Sequence, residues 1–173
     1  TNIQTDGSYN LTNVEPGDYI ILAKPNIGTY PDAFPTYYGD TYRWLDAATL
    51  TVSDNVPNAD ITVISPPSSN GSGRIYGLVL HTDKTNKMQG PGDPFNGLDV
   101  SIIDKSTGSA VMHDVTTSDS TKNFDVASVN DGDYLVNVDF TGLEQNDLNA
   151  NINGNTVIFI IFIVDSSSGI SYN

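Results

Sequence analysis

The chain has no cysteine. That excludes disulfides, thiolate metal centres and cysteine nucleophiles, and leaves stability to hydrophobic burial and hydrogen bonding. Positive charge is scarce as well: seven Lys and Arg stand against 21 Asp and Glu, a formal net charge of −14. Such a field repels nucleic acid and anionic lipid, so neither is an expected partner. Histidine occurs only at His81 and His113. His113 lies in the alternating run Val111, His113, Val115, and His81 at a strand end beside Thr82 and Asp83; nothing near either supplies the rest of a catalytic site. The GxxxxGKS, GxGxxG and HExxH patterns are absent. No enzyme activity is expected. Long apolar runs are missing too: the longest, Val157 to Val164, has eight residues, against roughly 20 for a bilayer span. No membrane insertion is expected. The chain starts at Thr1 without Met or a signal-peptide pattern, which reads as a processed product or a fragment.

What is present suffices for a folded protein. Apolar residues make up 38% of 173, enough for a real core in one or two domains. Abundant Asn, Ser, Thr, Gly and Tyr with few lysines lean towards an extracellular surface protein.

The chain is organised around an internal repeat. Val14-Glu15-Pro16-Gly17-Asp18-Tyr19-Ile20 returns 115 residues later as Val129-Asn130-Asp131-Gly132-Asp133-Tyr134-Leu135. The match runs ungapped upstream, with Tyr9 and Leu11 facing Phe124 and Val126. In each copy a short alternating strand enters a turn whose glycine can take positive φ, and an Asp-Tyr pair opens a second strand, which predicts a β-hairpin used twice. Tyr134, Val136, Val138 and Phe140 share one face, with Asn137 and Asp139 on the other: the period of a half-buried strand. A spacing of 115 is also about one sandwich domain.

Along the chain, residues 1–65 read as an incomplete β-module with strands around Tyr9, Tyr19, Leu50 and Ile61, where a sandwich needs about seven. Its missing strands call for something to cover the exposed edge and inner face. Within it, 25–49 is a long connection carrying Tyr30, Phe34, Tyr37, Tyr38, Tyr42 and Trp44. These aromatics suit a stacking platform for polysaccharide or a contact surface for another chain, or else a surrogate core folded over the open end of their own module. Residues 66–73 are a Ser/Gly/Pro linker. Residues 74–173 read as a complete module with strands at 74–80, 98–103, 109–116, 123–129, 133–140 and 156–164, and a surface loop at 81–96. The inward sets are Ile75 and Val79; Leu98, Val100 and Ile102; and Phe124 and Val126. The last strand, Val157-Ile158-Phe159-Ile160-Ile161-Phe162-Ile163-Val164, is apolar at every position, so both of its faces must be buried. It reads as the module's terminal strand covered by a neighbour, or as a strand shared between subunits. Calcium is the one candidate ion, at the loop acids Asp104, Asp119, Asp131 and Asp133, against the plainer reading of solvated turn acids.

The stretches TDGSYNLTNVEPGDYIILAKP (5–25), STKNFDVASVNDGDYLVNVDF (120–140), and GRIYGLV (73–79) with GDPFNGLDVSIID (92–104) resemble prealbumin-like modules of the carboxypeptidase-regulatory-like and collagen-adhesin B-type groups. FPTYYGDTYRWLDAATL (34–50) and the ending IVDSSSGIS (163–171) resemble tandem modules of Bacteroidetes secreted surface proteins. The resemblance implies an all-β chain of two tandem Ig-like, prealbumin-like sandwich modules, the first lacking its opening strands. It also implies a non-enzymatic stalk, adhesin or fibre unit, often exported by the type IX route. The isopeptide of some collagen-adhesin modules needs a lysine on the first strand; Arg74 to Leu80 has none, and that crosslink is not expected. The expected partners are other copies of the chain or adjacent modules. The alternative is a polysaccharide-binding or accessory module of a larger secreted protein.

Overall fold

A computed structural model describes residues 3–26, 28–66, 68–81, 92–143 and 146–164. Parts of the linker, of the 81–96 loop and of the chain end after Val164 therefore lie outside the described residues. The protein is all-β, with one 3-10 turn at Trp44–Asp46. No helix among the described residues is long and apolar enough to cross a membrane.

Seven strands form a β-sandwich. They are β5 (Gly73–His81), β6 (Asp99–Asp104), β7 (Ala110–Val115), β8 (Phe124–Val129), β9 (Gly132–Asp139), β10 (Leu148–Ile152) and β11 (Val157–Val164). One sheet has the order β10-β9-β6-β7 and the other β11-β5-β8. Period-two alternation places one row of each strand inside. Ile75 and Val79, Val100 and Ile102, Phe124 and Val126, Val136 and Val138, and Ile160 and Phe162 build a single core. Six of these strands follow the expected runs closely. Strand β10 was not expected: Leu-Asn-Ala-Asn-Ile has two asparagines, poor strand formers, and it is held by its full register against β9.

The expected hairpin does not form. β8 and β9 are joined by a tight turn but belong to opposite sheets, so the repeated motif is a corner between layers. Its hydrogen bond explains the sequence. The Tyr134 hydroxyl donates to the Asn130 carbonyl at 3.0 Å, and the Tyr19 hydroxyl to the Glu15 carbonyl at 2.7 Å, each four residues back. This is a tyrosine corner, present twice. Neither glycine takes a positive φ. A Cβ at Gly132 would sit tightly, 3.1 Å from the Tyr134 hydroxyl oxygen, whereas one at Gly17 would be in ordinary contact, 3.5 Å from the Tyr19 ring.

Residues 3–66 make two small sheets. β1 (Gly17–Tyr19) pairs antiparallel with β4 (Leu50–Val52), and β2 (Leu22–Ala23) with β3 (Thr36–Tyr37). No strand forms at Tyr9 or Ile61. The repeat gives the reason. Residues 9–14 match β8, whose ladder partner is β5, and no described segment occupies the matching place beside 9–14.

Strand β11 runs parallel to β5 in unbroken register, Val157 opposite Arg74 through Val164 opposite His81. Gly77 permits this. A Cβ there would lie 1.9 Å from the Ile160 carbonyl oxygen and 2.9 Å from the Phe124 ring. Gly77→Ala is expected to force the two strands apart and cost about 1–3 kcal/mol, the range for overpacking a core; an unchanged urea midpoint would show that β11 is not seated on Gly77.

Candidate functional site

The first-segment residues between Lys24 and Ala47 pack on the outer face of the four-stranded sheet. The strands beneath present a row that sequence alternation marks as outward and polar: Asp99 and Ser101 on β6, Asn137 and Asp139 on β9. All four are buried, because this segment lies over them. Tyr37 donates from its hydroxyl to Asp139 Oδ2 at 2.6 Å, the Trp44 backbone N–H donates to Asp139 Oδ1 at 3.0 Å, and the Trp44 indole N–H donates to the Leu143 carbonyl at 3.3 Å. Lys24 reaches Asp99 at 3.2 Å, Arg43 lies 3.7 Å from Asp147, and Phe34 packs against His113 with ring centroids 4.6 Å apart. Thr36, fully buried, accepts from the Ile64 N–H and donates to the Phe34 carbonyl.

This seam is polar and incompletely paired. Asp99 Oδ1, Asn137 Oδ1 and both ring nitrogens of His113 are buried without a hydrogen-bond partner, which sets the seam below the apolar core in stability. Burial raises the Asp139 pKa above its ordinary 3.8, Asp99 adds to the rise, and the Tyr37 and Trp44 donors and Arg43 oppose it. Burial and the bond to Asp139 likewise push the Tyr37 hydroxyl up.

The aromatic stretch is thus divided. Phe34 and Tyr37 are buried against the sandwich, Tyr38, Tyr42 and Trp44 are half-buried, and Tyr30 is 61% exposed. One open ring offers no row of stacking faces to a sugar chain. The loop acids are engaged in turns. Asp104 accepts from the Ser106 hydroxyl and N–H, and Asp119 from those of Thr121, which lowers both pKa values. Asp131 accepts from the Gly154 N–H and Asp133 from the Asn151 amide. Among the described residues no three His, Asp or Glu converge on a metal position.

Two surfaces remain open. The first is the outward face of β11. Its alternate residues Ile160 and Phe162 enter the core, while Val157, Phe159, Ile161 and Ile163 are 57%, 46%, 47% and 62% exposed. Phe159 rests on Tyr76, ring centroids 5.1 Å apart, and the Arg74 guanidinium lies over the Tyr76 ring, 5.3 Å from its centroid. Arg74 also holds Asp125, whose pKa it brings down to about 2. β11 ends its sheet, so its second edge pairs with no described strand. It carries none of the charges, prolines or bulges that protect exposed edges.

The second surface is a trough of 1370 Å³ in residues 3–63. Ile3, Leu11, Val14, Ile20, Val56 and Val63 line it, each more than a third exposed. Asp54 and Asp60 are its charged residues, and it has no base. The sequence signalled β11 by its unbroken apolarity. The trough was signalled less directly, by the missing ladder partner of the first repeat.

No family model matches the chain, and no curated protein matches it. Among solved structures, it is similar to GBS52, the minor pilin of Streptococcus agalactiae, at 15% identity and a TM-score of 0.41, over 94% of this chain and 66% of that one. It is similar to the TIE protein of Bacillus anthracis at 14% identity and a TM-score of 0.38, over 68% and 20%. It is similar to BcpA, the major pilin subunit of Bacillus cereus, at 13% identity and a TM-score of 0.35, over 61% and 32%. The chain spans about a third or less of the last two proteins. These likenesses are distant in sequence and loose in superposition, and no role passes to this chain on their strength. None of them is from a Bacteroidetes protein.

The single tryptophan, Trp44, reports on the seam. Tyr37→Phe removes a bond to a charged acceptor, worth about 1.5 kcal/mol or more, and is expected to raise the opening of the seam roughly tenfold, read as stronger acrylamide quenching of Trp44 with unchanged far-UV dichroism. The closed seam raises the Asp139 pKa, so it binds that proton more tightly than the open chain does. This contribution is full below pH 3.8 and fades as pH rises through the raised value. Quenching should increase over that interval in the natural chain and lose the trend in Asp139→Asn. Equal quenching in Tyr37→Phe and the natural chain would remove Tyr37 from the seam's support.

Proposed function

We propose that this chain is a non-enzymatic structural building block of an extracellular or cell-surface assembly, a stalk, adhesin or fibre unit whose copies complete one another by strand complementation. The observation that carries the reading is the distribution of exposed apolar side chains. Of the twelve large hydrophobics exposed among the described residues, six line the trough and four form the outer face of β11. Scattered apolar residues are normal on a surface, but two concentrated patches mark contact sites. They belong to different elements, so a contact between them is heterologous and propagates head to tail where its rotation does not close. The acidic composition, poor in lysine and rich in Asn, Ser, Thr, Gly and Tyr, favours a place outside the cell. Asp104 and Asp119 serve turns, Asp99 and Asp139 the seam, and Asp125 the Arg74 cluster, which supports a structural role over a catalytic one. Calcium has no part in this reading. Residues 1–65 and 74–173 act as two modules of one unit.

Salt separates this reading from a charge-paired association. At a net charge of −14 copies repel one another, and raising ionic strength from 0.01 to 0.15 M shortens the screening length from about 30 to about 8 Å. Mass by light scattering is expected to rise with salt, with filaments visible by electron microscopy. A monomer of 18.6 kDa at every salt and protein concentration would contradict the proposal.

A further inference from the structure

Building on the proposed assembly, we infer that β11 is a strand with two cores. It stays in its own sandwich through Ile158, Ile160 and Phe162, while Val157, Phe159, Ile161 and Ile163 enter the trough of a second copy of this chain. There its free edge pairs with residues 9–14.

The trough is shaped by the want of a strand. In the second repeat, Phe124, Val126 and Val129 on β8 are 1%, 3% and 1% exposed, and β5 lies alongside. Their counterparts in the first repeat are Tyr9, Leu11 and Val14, and Leu11 and Val14 are 45% and 39% exposed. Residues 9–14 join no ladder. The trough is therefore the place that β5 fills in the second copy of the motif. Its occupant must be extended, apolar on the face it presents, and open along one edge.

β11 meets each requirement within this chain. It is already a strand of eight residues, so docking orders nothing new on the donor side. Its second edge pairs with no described strand and its outward row is wholly apolar. Charge points the same way. Copies at −14 gain nothing from contacts that bring acids together, and β11 carries no charge where the trough carries two acids and no base. The arrangement also explains why eight consecutive residues are apolar: alternate positions serve alternate cores.

The contact is between molecules rather than within one. The first segment covers the outer face of the four-stranded sheet, whereas the open residues of β11 lie on the outer face of the three-stranded sheet, across the sandwich. The open face of a chain's own β11 is thus across the sandwich from residues 24–47, which join the two stretches that line its trough.

Because the natural chain has no cysteine, single introduced thiols test the pairing cleanly. Val14→Cys in the trough and Ile161→Cys on β11 are prepared separately, and both sites are exposed enough to spare the core. Leu11→Cys and Phe159→Cys provide a second pair in case either variant folds poorly. Mixed and oxidised under assembling conditions, the two variants are expected to give dimers with one of each, while each alone stays uncrosslinked. Adding Lys at the neighbouring β11 position, Ile163→Lys, should abolish the crosslink. Self-crosslinking of the β11 variant would overturn the inference in favour of a face-to-face pair of β11 strands. Assembly seen by light scattering without any mixed crosslink in either pair would overturn it by giving the trough another occupant, while leaving the broader structural role standing. Absence of assembly would overturn both.

Discussion

The structure depends on the parallel pairing of β11 with β5 across Gly77. Eight apolar residues in an extended strand have two apolar faces, and one sandwich can bury only one. The pairing decides which: Ile158, Ile160 and Phe162 go inward, closing the core opposite Val100, Ile102, Val136 and Val138. The other row is left to solvent. Had the register slipped by one residue, the two rows would have exchanged places with little change in apolarity. What fixes it is the close approach at Gly77, where the Ile160 carbonyl occupies the space of a side chain.

Around that sandwich the remaining structure is graded. The core is one apolar cluster, fully packed. The seam beneath Lys24 to Ala47 is polar, built on the two donors to Asp139 and the burial of Phe34 and Tyr37, with several acceptors unpaired. The trough beyond it has no second layer among the described residues. Apolar burial therefore falls from the sandwich to the seam to the trough, and the least buried part is the part that new contacts would complete. Burying the exposed rows of trough and strand against each other gains apolar area without uncovering any existing core, since β11 need not leave its own sheet.

Much of the sandwich was legible because period-two alternation runs through most of β5, β6, β8 and β9 and each inward set is aliphatic or aromatic. β10 was hidden by its asparagines, and only its pairing with β9 reveals it. The repeat was visible, but its geometry was not. Gly-Asp-Tyr after a short strand suits a hairpin by turn chemistry, whereas the Tyr134 hydroxyl reaching back to Asn130 marks a corner between sheets. Asp99, Asn137 and Asp139 look like a solvated face because alternation cannot tell water from a covering chain. The aromatic stretch supplies that cover: Phe34 and Tyr37 turn inward onto polar and histidine partners that no local pattern predicts. The open trough was foreshadowed by the strand count of the first module, though its shape depends on how 9–14 and 53–63 lie with no ladder between them.

The central claim is that one strand serves two cores, and backbone amide exchange tests it most directly. Dilute monomer and salt-assembled material are compared residue by residue over 9–14 and 157–164. The account requires that β11 amides directed to β5 be protected in both states, and that the 9–14 amides and those on the outer edge of β11 become protected only on assembly. Exchange in 9–14 that is equally fast in both states, or β11 amides facing β5 that lose protection when the chains assemble, would contradict it.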